Sequence, residues 1–179
     1  MKNLSLPQTL LLILTAAACG QDKLDSQTAR ALIVAEYKLP KVIDHRIAMG
    51  DPTDAKRMLD LGLEKDGFVK IKTSQTLSEL GTPWITFTNK GHQYFAQTPQ
   101  SEKKYNLQNV KLAEMHFGEI KGISMGSEDK SATVEYTRIY KNTTPFCRLS
   151  SIDWTRPSVH KAYFIKYDTG WKLDTGNEN

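Results

Sequence analysis

Between residues 132 and 140 the side chains alternate with a period of two. Ala132, Val134, Tyr136 and Arg138 fall on one side, and Thr133, Glu135, Thr137 and Ile139 on the other. That spacing sorts residues into faces only on a strand. Residues 110–123 are long enough to pair with it, and Gly126-Ser127-Glu128-Asp129 supplies the turn between them. One apolar and one polar face call for an antiparallel sheet with one wet side. Residues 161–167 and 171–173 add a hairpin across Asp168-Thr169-Gly170. The stretch 108–175 is therefore expected to be an antiparallel sheet.

The stretch 24–97 reads differently. A helix is expected over 26–38, capped by Asp25 or Ser26, with Ala29, Leu32, Ile33 and Tyr37 on one face and Pro40 stopping it. Residues 42–49 suit a short strand or a loop. Asp51-Pro52 opens a second helix, with Asp51 as cap and Pro52 in the first helical position. Its buried stripe would be Ala55, Met58, Leu59 and Leu63. Asp66-Gly67 marks a turn. Strands follow at 68–72 and 82–88, the second with Trp84, Thr86 and Thr88 facing one way. Thr88 or Asn89 then caps a short helix through Phe95. The polar run 98–107 is expected to link the two halves. The expected class is α+β: a helical half followed by an antiparallel, curved sheet.

Residues 1–18 place a single charge, Lys2, ahead of an apolar run over 10–18 that ends in small residues. The run is about half the roughly 20 residues of a spanning helix, and it is apolar all round. This pattern fits a secretory signal peptide. The stretch Thr15-Ala16-Ala17-Ala18-Cys19 resembles the lipobox of bacterial lipoproteins, although Ala16 stands where Leu is usual. The resemblance, confined to residues 1–20, implies lipid on the Cys19 sulfur, cleavage before Cys19, and a short polar tether through Lys23. In that family Gly20, rather than Asp, after the cysteine favours the outer membrane, with the domain facing the periplasm. Ala16-x-Ala18 also satisfies an ordinary secretory site, which would release a soluble product.

Two weaker patterns bear on architecture. The order of helices, two strands and a helix entered through Thr88-Asn89-Lys90-Gly91 is similar to a winged-helix unit over 26–96. The closing Tyr167-Asp168-Thr169-Gly170-Trp171-Lys172-Leu173 is similar to cystatin-like and nuclear-transport-factor-like curved sheets over 108–174. Asp51, Asp54 and Asp60 make the second helix acidic, where a helix entering a DNA groove would be basic.

Charge sets further bounds. There are 24 Lys and Arg against 20 Asp and Glu, a net +4. No run of like charge exceeds two residues, so no nucleic-acid arm is expected. Two cysteines, Cys19 and Cys147, exclude a disulfide scaffold. Once Cys19 carries lipid, Cys147 has no partner in the chain, and it is expected to be buried on the inner side of the sheet.

Glu114 and His116 form the best polar pair, two residues apart on one strand face, with Glu119 on the other. Two ligands fall short of the three or four a metal needs. His45 beside Asp44 and Arg46 reads as an exposed loop residue. Cys147 lacks a neighbouring base, with His160 the only candidate to come near. Trp84, Trp154, Tyr163 and Trp171 would either pack the core or line a cavity. No phosphate loop, His-Glu-x-x-His, Gly-x-Ser-x-Gly, Cys-x-x-Cys or dinucleotide fingerprint occurs. No catalytic residue, cofactor or metal is therefore expected. The functional expectation is a noncatalytic, membrane-anchored binding or accessory module with a protein partner. The alternatives are a hydrolase of envelope polymers using Glu114 and His116, and an immunity-type inhibitor of a toxin.

Overall fold

The computed structural model describes residues 23–177. The signal peptide read at 1–18, the lipid site Cys19 and the tether residues up to 22 lie outside the described residues. The elements run α1 (Ser26–Glu36), β1 (Lys41–Ala48), α2 (Pro52–Asp60), β2 (Val69–Ile71), β3 (Ile85–Phe87), α3 (Asn89–His92), α4 (Gln100–Lys103), β4 (Leu107–Met125), β5 (Ser131–Lys141), β6 (Ser158–Tyr167) and β7 (Gly170–Asp174). The class is α+β, with a curled, half-barrel antiparallel sheet.

The two leading helices start where the sequence signals them. The Asp25 carboxylate accepts from Thr28 N at 2.8 Å and caps α1, and Asp51 accepts from Thr53 N at 2.7 Å and caps α2. Helix α1 ends at Glu36, two residues short of the expected end, because Lys38 turns into the left-handed region at φ 51° ahead of Pro40. Helix α2 buries Ala55 and Met58, but Leu59 stays exposed. The chain turns at Gly62, φ 74°, and Leu63 N bonds back to Met58 O at 3.0 Å. That helix-ending turn, rather than a further helical turn, brings Leu63 into the core.

The ambiguous stretch after Pro40 is β1, the edge strand of a five-stranded sheet ordered β1-β4-β5-β6-β7, every pair antiparallel. Strands β2 and β3 form a separate ribbon that buries Ile85 and Phe87 and leaves Thr86 exposed. Thr88 caps α3 through Gly91 N, and α3 stops at His92 instead of continuing through Phe95. The backbone after it pairs with β4: Ala96 N donates to Asn109 O at 2.9 Å, and Lys111 N to Tyr94 O at 2.8 Å. A ladder of backbone bonds there outcompetes one more turn of a four-residue helix.

Strand β4 spans 19 residues and loses register twice, between Phe117 and Gly122. Such bulges bend a strand and deepen its twist, which accounts for the curl. At the bulge a side chain on Gly118 would meet Thr137 Oγ1 at 2.3 Å. Glu119 N donates to that same hydroxyl at 3.0 Å. Thr137 is consequently buried, although the alternation had placed it on the wet face.

Two apolar clusters hold the fold. The first gathers Ile47, Met58, Leu63, Phe68, Ile85, Phe87, Val110, Leu112 and Phe146. Phe146 is fully buried, with Phe68, Phe87 and Tyr94 rings each 5.9 Å away; truncating such a residue costs about 3–5 kcal/mol. The second lies beneath α1 and gathers Leu24, Ala29, Ile33, Val134, Tyr136, Phe164 and Trp171. Both clusters draw on residues before and after the 98–107 stretch. That stretch is itself packed: it contains α4, and the buried Thr98 hydroxyl accepts from Gln108 Nε2 and Asn109 N, each at 2.9 Å.

Candidate functional site

The outer face of β1 and β4 carries a polar cluster that includes the expected Glu114–His116 pair. Its hub is Glu114. One carboxylate oxygen pairs with Lys111 Nζ; the other accepts from Asn142 Nδ2 at 2.8 Å and meets His116 Nε2 at 3.3 Å. The expected Glu114–His116 pair does meet, because residues two apart on a strand share a face. Lys111 joins them through the bulge opposite Ile43 and Asp44, which puts positions 111 and 114 on the same side. Asn142 joins from the end of β5, in the left-handed region at φ 50°, which asparagine tolerates. Hydrogen bonds from Lys111, then Asn142, then His116 hold the Glu114 carboxyl down at about 2. A carboxylate so held is a poor proton acceptor near neutral pH, since efficient bases have a pKa near the working pH.

Beside this cluster runs an open groove of about 690 Å³ between β1 and the segment 95–102. Val42 and Phe95 form its apolar walls and remain 46% and 40% exposed. Asp44, Glu102, Asn109 and Lys111 supply its polar lining, and Lys111 thereby joins groove and cluster. Glu102 also pairs with Arg46 at 3.5 Å. The other Glu102 oxygen, Oε2, and Asn109 Oδ1 are buried and find no protein donor. The groove thus sets exposed apolar area beside the exposed Asp44 carboxylate, a composition suited to a ligand or peptide carrying N–H groups, while the buried Glu102 and Asn109 oxygens lie out of its reach.

The remaining candidates are scattered. His45 is half-buried on β1 rather than exposed in a loop; burial first, then Arg57, pushes its pKa down, against Asp54 and Asp44. Glu119 pairs with Lys121 away from the cluster. Cys147 is half-buried, not enclosed by the sheet. It sits in the 3-10 turn Pro145–Leu149, where Phe146 and Leu149 take the two core positions. His160 meets Ser158 Oγ at 2.9 Å and lies against the Tyr136 ring; burial, then Arg138, lowers its pKa. Trp84 and Trp154 pack on the first apolar cluster and Trp171 in the second, while Tyr163 is exposed on β6. These four rings line no common cavity.

Among the described residues no three of His, Cys, Asp or Glu are grouped so as to hold a metal ion, and no helix is long and apolar enough to cross a membrane. Sequence reasoning missed the groove because it forms only where residues 94–96 pair with β4, 15 positions further along the chain. No local signal ties Val42 to Phe95, which lie 53 positions apart in the chain. Compared with known proteins, the chain matches no family model, no curated protein and no solved structure.

Proposed function

We propose that the chain is a bacterial envelope lipoprotein, held in the outer membrane by lipid on Cys19, whose domain is a noncatalytic binding module facing the periplasm. The anchor rests on the lipobox-like 15–19 stretch, and the outer-membrane assignment on Gly20. The observation that carries the binding reading is the groove at the edge strand: Val42 and Phe95 exposed together beside the exposed Asp44 carboxylate. Its preferred occupant is a protein segment that brings an apolar side chain and N–H donors. The hydrolase alternative is disfavoured by the Glu114 carboxyl, which three donors hold ionised.

The finer architectural reading, a winged-helix-like 24–97 half, is supported by the order α2, β2–β3 ribbon, α3 and by the Thr88–Gly91 helix entry. It would carry architecture alone. Asp51 and Asp54 are spent on capping α2 and on the Ala48 amide, and Asp60 pairs with Lys56.

A photo-crosslinking side chain introduced at Val42 or Phe95 in cells should trap one discrete protein adduct that the same group at Val159 does not. Identical adducts at all three positions, or none at the first two, sinks the groove reading. The anchor is tested separately: Cys19→Ser should abolish acyl labelling and leave precursor uncut. A serine variant cleaved at the same bond and still retained in membranes refutes it.

A further inference from the structure

We propose that the end of the domain bearing the β4–β5 and β6–β7 turns rests on the phospholipid headgroup layer, with Ile165 and Tyr167 seated in it. The proposal depends on the lipid-anchor reading of Cys19. From Cys19 to Lys23 the chain takes four residue steps, which span at most ~14 Å. The chain is then fixed: Leu24 is only 4% exposed in the second apolar cluster, and the Lys23 ammonium lies 3.8 Å from Asp129 in the β4–β5 turn. A lipid on Cys19 therefore keeps that turn close to the bilayer.

The β6–β7 turn lies at the same end, since Lys166 N donates to Lys130 O at 2.8 Å and Ser131 faces Ile165 across the ladder. On β6 the buried Ala162 and Phe164 alternate with Tyr163, Ile165 and Tyr167, which are 38%, 37% and 50% exposed. A tyrosine ring with an apolar body and a polar tip suits the headgroup level of a membrane. Lys172 Nζ lies 5.2 Å from the Tyr167 ring centre, and the two lysines of this hairpin end, Lys166 and Lys172, are matched in number by Asp168 and Asp174. Lys23 with Asp129, and Lys130 with Glu128, neutralise the β4–β5 turn internally. The contact is therefore one of side-chain seating rather than attraction to anionic lipid, and added salt should barely weaken it.

The test uses full-length, lipidated protein in vesicles of phosphatidylethanolamine and phosphatidylglycerol. In a Cys147→Ser background, Asp168→Cys beside the seated residues, or Leu77→Cys in the loop between β2 and β3, carries an environment-sensitive fluorophore. Leu77 is 88% exposed and serves as the distant reference. Headgroup-level nitroxide lipids should quench the label at 168 several-fold more than the label at 77, at low and high salt alike. Adding Ile165→Ser and Tyr167→Ser should reduce the quenching at 168 several-fold. Equal quenching at 168 and 77 in protein that floats with the vesicles overturns this proposal and leaves the anchor standing. Undiminished quenching in the serine double variant also overturns it, because the tether alone would then hold the end near the bilayer. Protein that fails to float with vesicles overturns the anchor reading, and this proposal with it.

Discussion

Gly91 should tolerate no side chain, for a steric reason alone. A Cβ built there sits 2.1 Å from the Phe68 carbonyl oxygen, 3.1 Å from its carbon and 3.2 Å from Phe87 Cδ1. The obstructing atom is backbone, so no rotamer change relieves it. To restore an ordinary contact, α3 has to withdraw by roughly 1.3 Å. That withdrawal pulls on the bonds seating the helix: Thr88 N to Phe68 O at 3.1 Å, and the Thr88 hydroxyl to Gly67 O at 2.7 Å. Overpacking costs about 1–3 kcal/mol, and a weakened cap about 1 more. Against this, alanine gains up to about 1 kcal/mol of helix propensity over glycine. The balance for Gly91→Ala is a loss of roughly 1–4 kcal/mol, which in a domain of this size lowers Tm by about 2–16 °C. Gly50→Ala is the control, because nothing lies within 4 Å of its Cβ position. Thermal unfolding followed by circular dichroism compares the two. A Gly91→Ala midpoint equal to or above that of Gly50→Ala would show that the close approach of α3 to Phe68 is wrong.

Three further expectations follow from the site and its surroundings. Replacing Glu114 and His116 together by Gln should leave the circular dichroism spectrum unchanged and still complement a deletion strain; a folded double variant that behaves like the deletion promotes the hydrolase reading. His45 and His160 have lowered pKa values, so the fold prefers both neutral: their contribution is complete above the usual imidazole value of 6.5 and erodes as pH falls below it. Glu79, in the loop between β2 and β3, is held at about 2 by hydrogen bonds from the Thr76 amide, then Lys72, then the Thr76 hydroxyl; it and Glu114 contribute above 4.5 and lose that contribution as pH falls from 4.5 to about 2. Denaturant midpoints should therefore decline in two stages on acidification, and Glu114→Gln should flatten only the lower one; an unchanged lower stage contradicts the hub assignment. Cys147, half-buried, should react with a maleimide directly from the folded state, at a rate that does not follow global unfolding as denaturant rises. Modification that waits for unfolding would place the thiol in the core after all.

Local chemistry was readable without coordinates wherever a few adjacent residues decide the outcome. Asp25, Asp51-Pro52 and Thr88 start helices because a side-chain acceptor or a fixed φ acts within three residues of itself. The alternation at 132–136 sorts buried from exposed positions because the pleat imposes it. The Glu114–His116 contact belongs to the same class, being set by two positions on one strand. The lipobox-like run at 15–19 is likewise a property of the chain alone. Tertiary structure decided the rest, wherever partners distant in sequence compete with local preference. Pairing of 94–96 with β4 ended α3 early and opened the groove. One irregularity of β4, against β5, drew Thr137 inward, and another, opposite Ile43 and Asp44, brought Lys111 to Glu114. The 3-10 turn Pro145–Leu149 spent its core positions on Phe146 and Leu149 and left Cys147 at the rim. A backbone amide seeking a buried acceptor is indifferent to sequence distance, and a linear pattern holds no record of which distant strand will supply one.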